Sequence, residues 1–179
     1  MTMSPVEPVP LILLTGTVGA GKTTVLWEIS TTLSEMDVAH AAVDCDTLCA
    51  VHPATSRWNV DLMYEALAAL WQIQHRHGAR RLVYANVLED GSEIDRYRAA
   101  IPGADLTIVR VVAPQSLRED RLRGRMAPGS SLDWHLHRTA ELEEILAAAS
   151  YEDFVVENGE RPIRDVAMEV LTRAGWLGD

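Results

Sequence analysis

Lysine is almost missing from this sequence. Fifteen of its 16 basic residues are arginine, and the remaining one is Lys22. Phenylalanine occurs once and cysteine twice in 179 residues. Cys45 and Cys49 are too few for a disulfide scaffold and lack the C-x-x-C spacing of a redox or zinc motif, so they are expected to be reduced, mostly buried thiols. Acids outnumber bases 26 to 16, a formal charge of −10. That balance repels phosphate polymers, so no nucleic-acid partner is expected. No apolar run approaches the roughly 18 residues that span a bilayer, and no membrane partner is expected either. The first ten residues lack a basic segment followed by an apolar core. Residues 1–9 therefore read as a flexible tail, and a cytoplasmic location is the expectation.

What remains is the composition of one globular domain, 47% hydrophobic and 23% charged, long enough to bury a substantial core. Short β-rich runs alternate with longer helical ones. Strands are expected at 10–15, 38–44, 80–88, 104–112 and 152–157. Helices are expected at 22–35, 60–78, 92–103, 114–126, 131–150 and 162–174. Pro114 is placed in the first turn of its helix, and Ser130, with Asp133 three residues on, is read as a helix cap. This alternation predicts an α/β fold, a five-stranded parallel sheet with helices on both faces and the ligand at the carboxyl ends of the strands.

The first strand runs straight into "GTVGAGKTT". Gly16, Gly19, Gly21, Lys22 and Thr23 satisfy G-x-x-x-x-G-K-[ST] between a predicted strand and a predicted helix, the context that gives the motif meaning. Glycines let successive backbone N–H groups turn inward onto phosphate oxygens, and the helix N-terminus adds partial positive charge. Thr17, Ala20 and Thr24 complete the cradle. Lys22 is the expected contact to the β- and γ-phosphates, and Thr23 the expected Mg²⁺ ligand. Arginine replaces lysine cheaply on a surface but not in a crowded anion site. The one lysine in the chain stands where an ammonium is needed.

A guanine-reading Asn-Lys-x-Asp is impossible with no second lysine, which favours ATP. The third strand ends at Asn86, with Glu89 and Asp90 only in the following loop. Carboxylates stand instead at the end of the second strand, in "DCD". Asp44 and Asp46 are two apart, so in extended backbone they point the same way. Asp44 is read as the base for a substrate hydroxyl or as an orienter of Mg²⁺, Asp46 as a substrate contact; a solvated Asp44 and a turn-capping Asp46 are the alternatives. Arg57, Asn59 and Asn86 are further substrate-side candidates, and Trp58 is either an acceptor contact or a packed anchor. Arg118, Arg121 and Arg125 share one helical face, pointing at phosphate or simply solvated. The His pairs at 75/77 and 135/137 put their rings on different helix faces, so a histidine metal site is not expected.

The cradle, the "DCD", the long helix after it and "YANVLED" together resemble the small-molecule kinase branch of P-loop proteins. Adenylylsulfate kinase is nearest in layout, and gluconate and shikimate kinases and chloramphenicol phosphotransferase are more distant. The resemblance implies a three-layer P-loop fold over residues 10–179, with an arginine-bearing lid at about 118–138. It also implies that Arg121 and Arg125 neutralise the transferring phosphoryl group, and that the loop after the last strand, with Asn158, Gly159 and Arg161, forms the adenine pocket. The lid departs from adenylylsulfate kinases in having no lysine, and the lone Phe154 lies in the last predicted strand. The implied activity is ATP- and Mg²⁺-dependent phosphorylation of a small hydroxyl-bearing metabolite. An ATP-binding switch without such an acceptor is the alternative.

Overall fold

In the computed structural model, which describes residues 7–177, five strands form one parallel sheet in the order β2-β3-β1-β4-β5. They are β1 (Val9–Thr15), β2 (Ala41–Asp44), β3 (Leu82–Ala85), β4 (Ala104–Val112) and β5 (Phe154–Glu157). The helices are α1 (Lys22–Glu35), α2 (Asp46–Cys49), α3 (Val60–Arg76), α4 (Ser92–Ala100), α5 (Gln115–Arg125), α6 (Ser130–Ala149) and α7 (Ile163–Arg173), with a 3₁₀ turn at Arg57–Asn59.

The three layers follow from the period-two alternation of β1. Leu11 and Leu13 face a core built with Met63, Tyr64, Leu67 and Trp71 of α3 and Tyr97 of α4. Ile12 and Leu14 face the opposite core, made with Val25, Leu26 and Ile29 of α1 and Val166, Ala167 and Val170 of α7. All four β1 side chains are fully buried, which is why the strand reads as a continuous apolar run and not as an alternating one.

Several boundaries differ from the sequence reading. β1 starts at Val9, whose N–H bonds Gly103 O at 2.8 Å; of the tail assigned to 1–9, residues 7 and 8 are exposed and in no element, and residues 1–6 lie outside the described residues. β2 and β3 are shorter than their apolar runs because their mutual ladder spans only Ala41↔Leu82 to Asp44↔Ala85. Pro114 sits just before α5 with extended ψ of 141°, its carbonyl accepting the Arg118 N–H at 3.0 Å. Ser130 is the first helical residue of α6 and not its cap; Gly129, at φ 145°, makes that turn with no side-chain cap. The short α2 and the 3₁₀ turn carry too few residues for a readable period.

Leu13→Ala should cost about 2–5 kcal/mol in urea unfolding, because its neighbours on both adjacent strands cannot collapse into the void. Trp27→Ala, at a side chain 51% exposed, should stay within about 0.5 kcal/mol.

Candidate active site

The loop between β1 and α1 is shaped by three glycines at positive φ, Gly16 (145°), Gly19 (82°) and Gly21 (93°). None has room for a side chain. A Cβ on Gly16 would stand 2.3 Å from the Val111 carbonyl oxygen, and one on Gly19 2.9 Å from that of Arg118. On Gly21 it would meet Asn158 Nδ2 at 2.1 Å. Gly21 is also the N-cap of α1 and offers no side-chain acceptor, leaving the first amides of the helix to face outward as donors.

Lys22 folds back over this loop, its ammonium donating to Gly16 O (2.9 Å) and Thr17 O (3.1 Å). Burial pushes its pKa down, partly offset by the acids of the 44–46 segment and reinforced by Arg125. Thr17 is buried, and its hydroxyl has no hydrogen-bond partner. Ala20 is fully buried, and Thr24 is exposed. Thr23 Oγ1 donates to Asp44 Oδ2 at 2.7 Å, joining the start of α1 to the end of β2. The other Asp44 oxygen accepts the Asp46 N–H at 3.1 Å. Asp46 itself is exposed as the first residue of α2.

The arginine face divides. Arg121 donates to Gly19 O (3.2 Å), Ala20 O (3.3 Å) and Asn158 O (3.1 Å); burial, then Arg125, lowers its pKa. Arg125 is exposed and forms no ion pair or hydrogen bond among the described residues. Arg118, on the same helical face, instead pairs with Glu143 of α6, which also holds Arg110 of β4 at 2.7 Å. Asn158 is buried and spends its amide on Ala20 O at 2.9 Å, bracing the loop. Beyond it, Pro114, Leu117, Asp120, Glu157, Gly159 and Glu160 line an open cavity of about 440 Å³. Arg161, assigned to the same loop, instead pairs with Glu169 at 2.6 Å.

The substrate-side candidates are placed differently from one another. Asn86 donates to Tyr97 OH at 2.6 Å and accepts from the Cys45 thiol at 2.9 Å, so its amide is committed to the core. Burial pushes the Cys45 thiol far up, keeping it a neutral donor. Asn59 is also buried, bonding Cys49 O (2.9 Å) and the Thr55 N–H (2.8 Å) to close the 49–59 loop. Arg57 begins the 3₁₀ turn, and its side chain lies outside the described residues. Two tethers of α6 reach the site, and sequence reasoning identified neither pairing. Thr139 Oγ1 donates to Val18 O in the glycine loop at 2.7 Å, and buried Arg138 pairs with Glu89 after β3 and with Glu141 at 2.8 Å. No local signal marks them, since their partners are far away in sequence.

The residues present fit a nucleotide phosphate and a hard cation. The glycine loop is a cradle that a Cβ would fill, it carries an orphaned buried hydroxyl at Thr17, and Thr23 and Asp44 are the oxygen donors Mg²⁺ prefers. A five-stranded parallel sheet with helices on both faces and a glycine loop at the head of α1 is a three-layer P-loop fold. No family model and no curated protein sequence matches the chain. Solved structures do resemble it. A shikimate kinase from Acinetobacter baumannii in complex with shikimate superposes with a TM-score of 0.59 at 19% identity, covering 93% of each chain. The APS kinase CysC of Mycobacterium tuberculosis, in complex with AMPPNP and APS, gives 0.59 at 17% identity over 93% of this chain and 98% of that one. A gluconokinase from Sinorhizobium meliloti gives 0.57 at 17%, over 96% and 94%. Among the described residues no helix is long and apolar enough to cross a membrane.

Gly16→Ala combines a left-handed backbone with a clash against Val111 and should lower stability by about 1–3 kcal/mol in thermal melts. Gly78→Ala, equally left-handed at φ 108° but in open space, should lose about 1–2 kcal/mol, from backbone strain without a clash.

Proposed function

We propose that the protein transfers the γ-phosphate of ATP to a hydroxyl of a small metabolite. The observation that carries this reading is the glycine loop itself, three positive-φ glycines with no room for a side chain, with the Lys22 ammonium and the Arg121 guanidinium both bonded to its carbonyls. Two cationic side chains that spend their donors on loop carbonyls have stronger acceptors to exchange them for when phosphate enters. The neighbours support the choice of reaction, being kinases, one of them in complex with AMPPNP.

On this reading the amides of residues 16–24 hold the β- and γ-phosphates, and Lys22 exchanges its loop carbonyls for phosphate oxygens. Thr23 and Asp44 would hold Mg²⁺, which neutralises phosphate charge when bound. The acceptor oxygen forms the new bond to the γ-phosphorus, and its proton passes to the Asp44 carboxylate. The bond from that phosphorus to the β–γ bridging oxygen breaks, and ADP leaves. Arg121 and Arg125 stabilise the charge that spreads over the transferring group. The cavity beside Asn158, at the end of β5, takes the base. The α5–α6 segment, residues 118–138, covers the site and excludes water. The alternative, a nucleotide switch, has no structural observation in its favour.

Lys22→Ala should abolish the thermal stabilisation that ATP and Mg²⁺ confer; full stabilisation in the variant would remove the cradle from the mechanism. Asp44→Asn should retain ATP-dependent stabilisation while acceptor-dependent ADP release falls by about 10²–10⁴-fold. Unchanged turnover would make Asp44 structural.

A further inference from the structure

Two tryptophans on the acceptor side are not used by the phosphate chemistry. Trp58 and Trp134 are large apolar side chains left 51% and 42% exposed, yet their rings meet with centroids 5.6 Å apart and a 48° tilt. They come from different elements, the 3₁₀ turn before α3 and the first turns of α6.

Trp58 has φ 64° and Asn59 φ 49°, a left-handed pair of non-glycine residues. Such backbone costs free energy and persists only where its surroundings enforce it. Here the enforcement is visible. The Asn59 side chain ties the turn to Cys49 O and to Thr55, and the result is an indole held outward and not buried. Trp134 is braced in turn by the edge-on ring of His135, 4.7 Å away, which bonds Ser131 O at 2.6 Å.

The pair stands where the acceptor would enter. Trp58 follows the loop that starts from the Asp44–Cys49 segment. Trp134 lies one turn before Arg138 and Thr139, which reach Glu89 after β3 and Val18 in the glycine loop. The charge of the described side chains on this side is also legible. Arg138 is already matched by Glu89 and Glu141. Asp46 is exposed and has no ion pair with any described arginine or lysine. With Lys22 and Arg125 committed to phosphate on the kinase reading, the acid left for an acceptor among the described side chains is Asp46, which disfavours an anion. An amine would find Asp46 for its charge and aromatic faces for its ring carbons.

We propose that Trp58 and Trp134 are the wall on which the acceptor's ring seats, and that the acceptor is a cyclic hydroxyl compound bearing an amine, its ammonium directed to Asp46. This rests on the kinase reading above and narrows it to one substrate class.

The test measures ADP release by the full-length protein with ATP and Mg²⁺. The acceptors are glucosamine and streptamine, with glucose as the neutral ring, glucuronate and shikimate as anionic rings, and glycerol as an open chain. Amine-bearing rings should give the highest kcat/KM. Trp58→Ala and Trp134→Ala should each raise the acceptor KM by about tenfold or more with little change in kcat or in the KM for ATP, and phenylalanine at either position should restore most of it. Asp46→Asn should remove the preference for glucosamine over glucose. Turnover confined to anionic or open-chain acceptors overturns the proposal while leaving the kinase reading intact. So does an alanine variant that loses thermal stability with no change in acceptor KM, or ATP-dependent stabilisation with no ADP release from any ring compound. Failure of ATP to stabilise the wild-type protein removes the kinase reading itself, and this proposal with it.

Discussion

Three missing side chains hold the site together. The spaces that a Cβ would take on Gly16, Gly19 and Gly21 are filled by the Val111 carbonyl of β4, the Arg118 backbone of α5 and the Asn158 amide after β5. One short loop therefore touches three segments that the chain delivers from roughly a hundred residues or more away. Positive φ alone would permit many loop shapes, and close packing selects this one. The amides at the head of α1 and the Lys22 ammonium are aimed as a consequence.

A second constraint sits behind the loop. Arg110 of β4 and Arg118 of α5 are both buried and share Glu143 of α6, with Glu152 3.7 Å from Arg110. Two guanidiniums taken out of water need such partners, so α5 and α6 are fixed to β4 through Glu143. Their other tethers, Thr139 to Val18 and Arg121 to Gly19 and Ala20, reach the loop directly. The segment expected to act as a lid is thus anchored at both sides of the phosphate cradle, while Arg125 at its end stays unengaged.

On the opposite side, the sequence groups Asp44, Asp46, Asn59 and Asn86 as one polar set, and the structure separates them. Asp44 meets Thr23, and Asp46 is turned to solvent. Both asparagines are absorbed into tethers, Asn86 between Cys45 and Tyr97, Asn59 between Cys49 and Thr55. Polar residue type near a strand end signals a hydrogen bond but does not reveal its partner. The contact between Trp58 and Trp134 was equally invisible, since 76 residues separate two side chains that read individually as ordinary aromatics.

By itself the sequence determined whatever depends on near neighbours. The apolar run of β1, the glycine loop, the start of α1 at Lys22 and the alternation that makes a parallel sheet are all set by backbone sterics and periodicity within a few residues. Only the tertiary structure decided which charges meet. Arg118 and Arg121 lie three residues apart on one helical face, yet Arg118 pairs with Glu143, 25 residues on, and Arg121 with the loop at Gly19, 102 residues back. A helix presents both side chains alike; their partners are chosen by where the sheet carries the rest of the chain, and no local pattern encodes that.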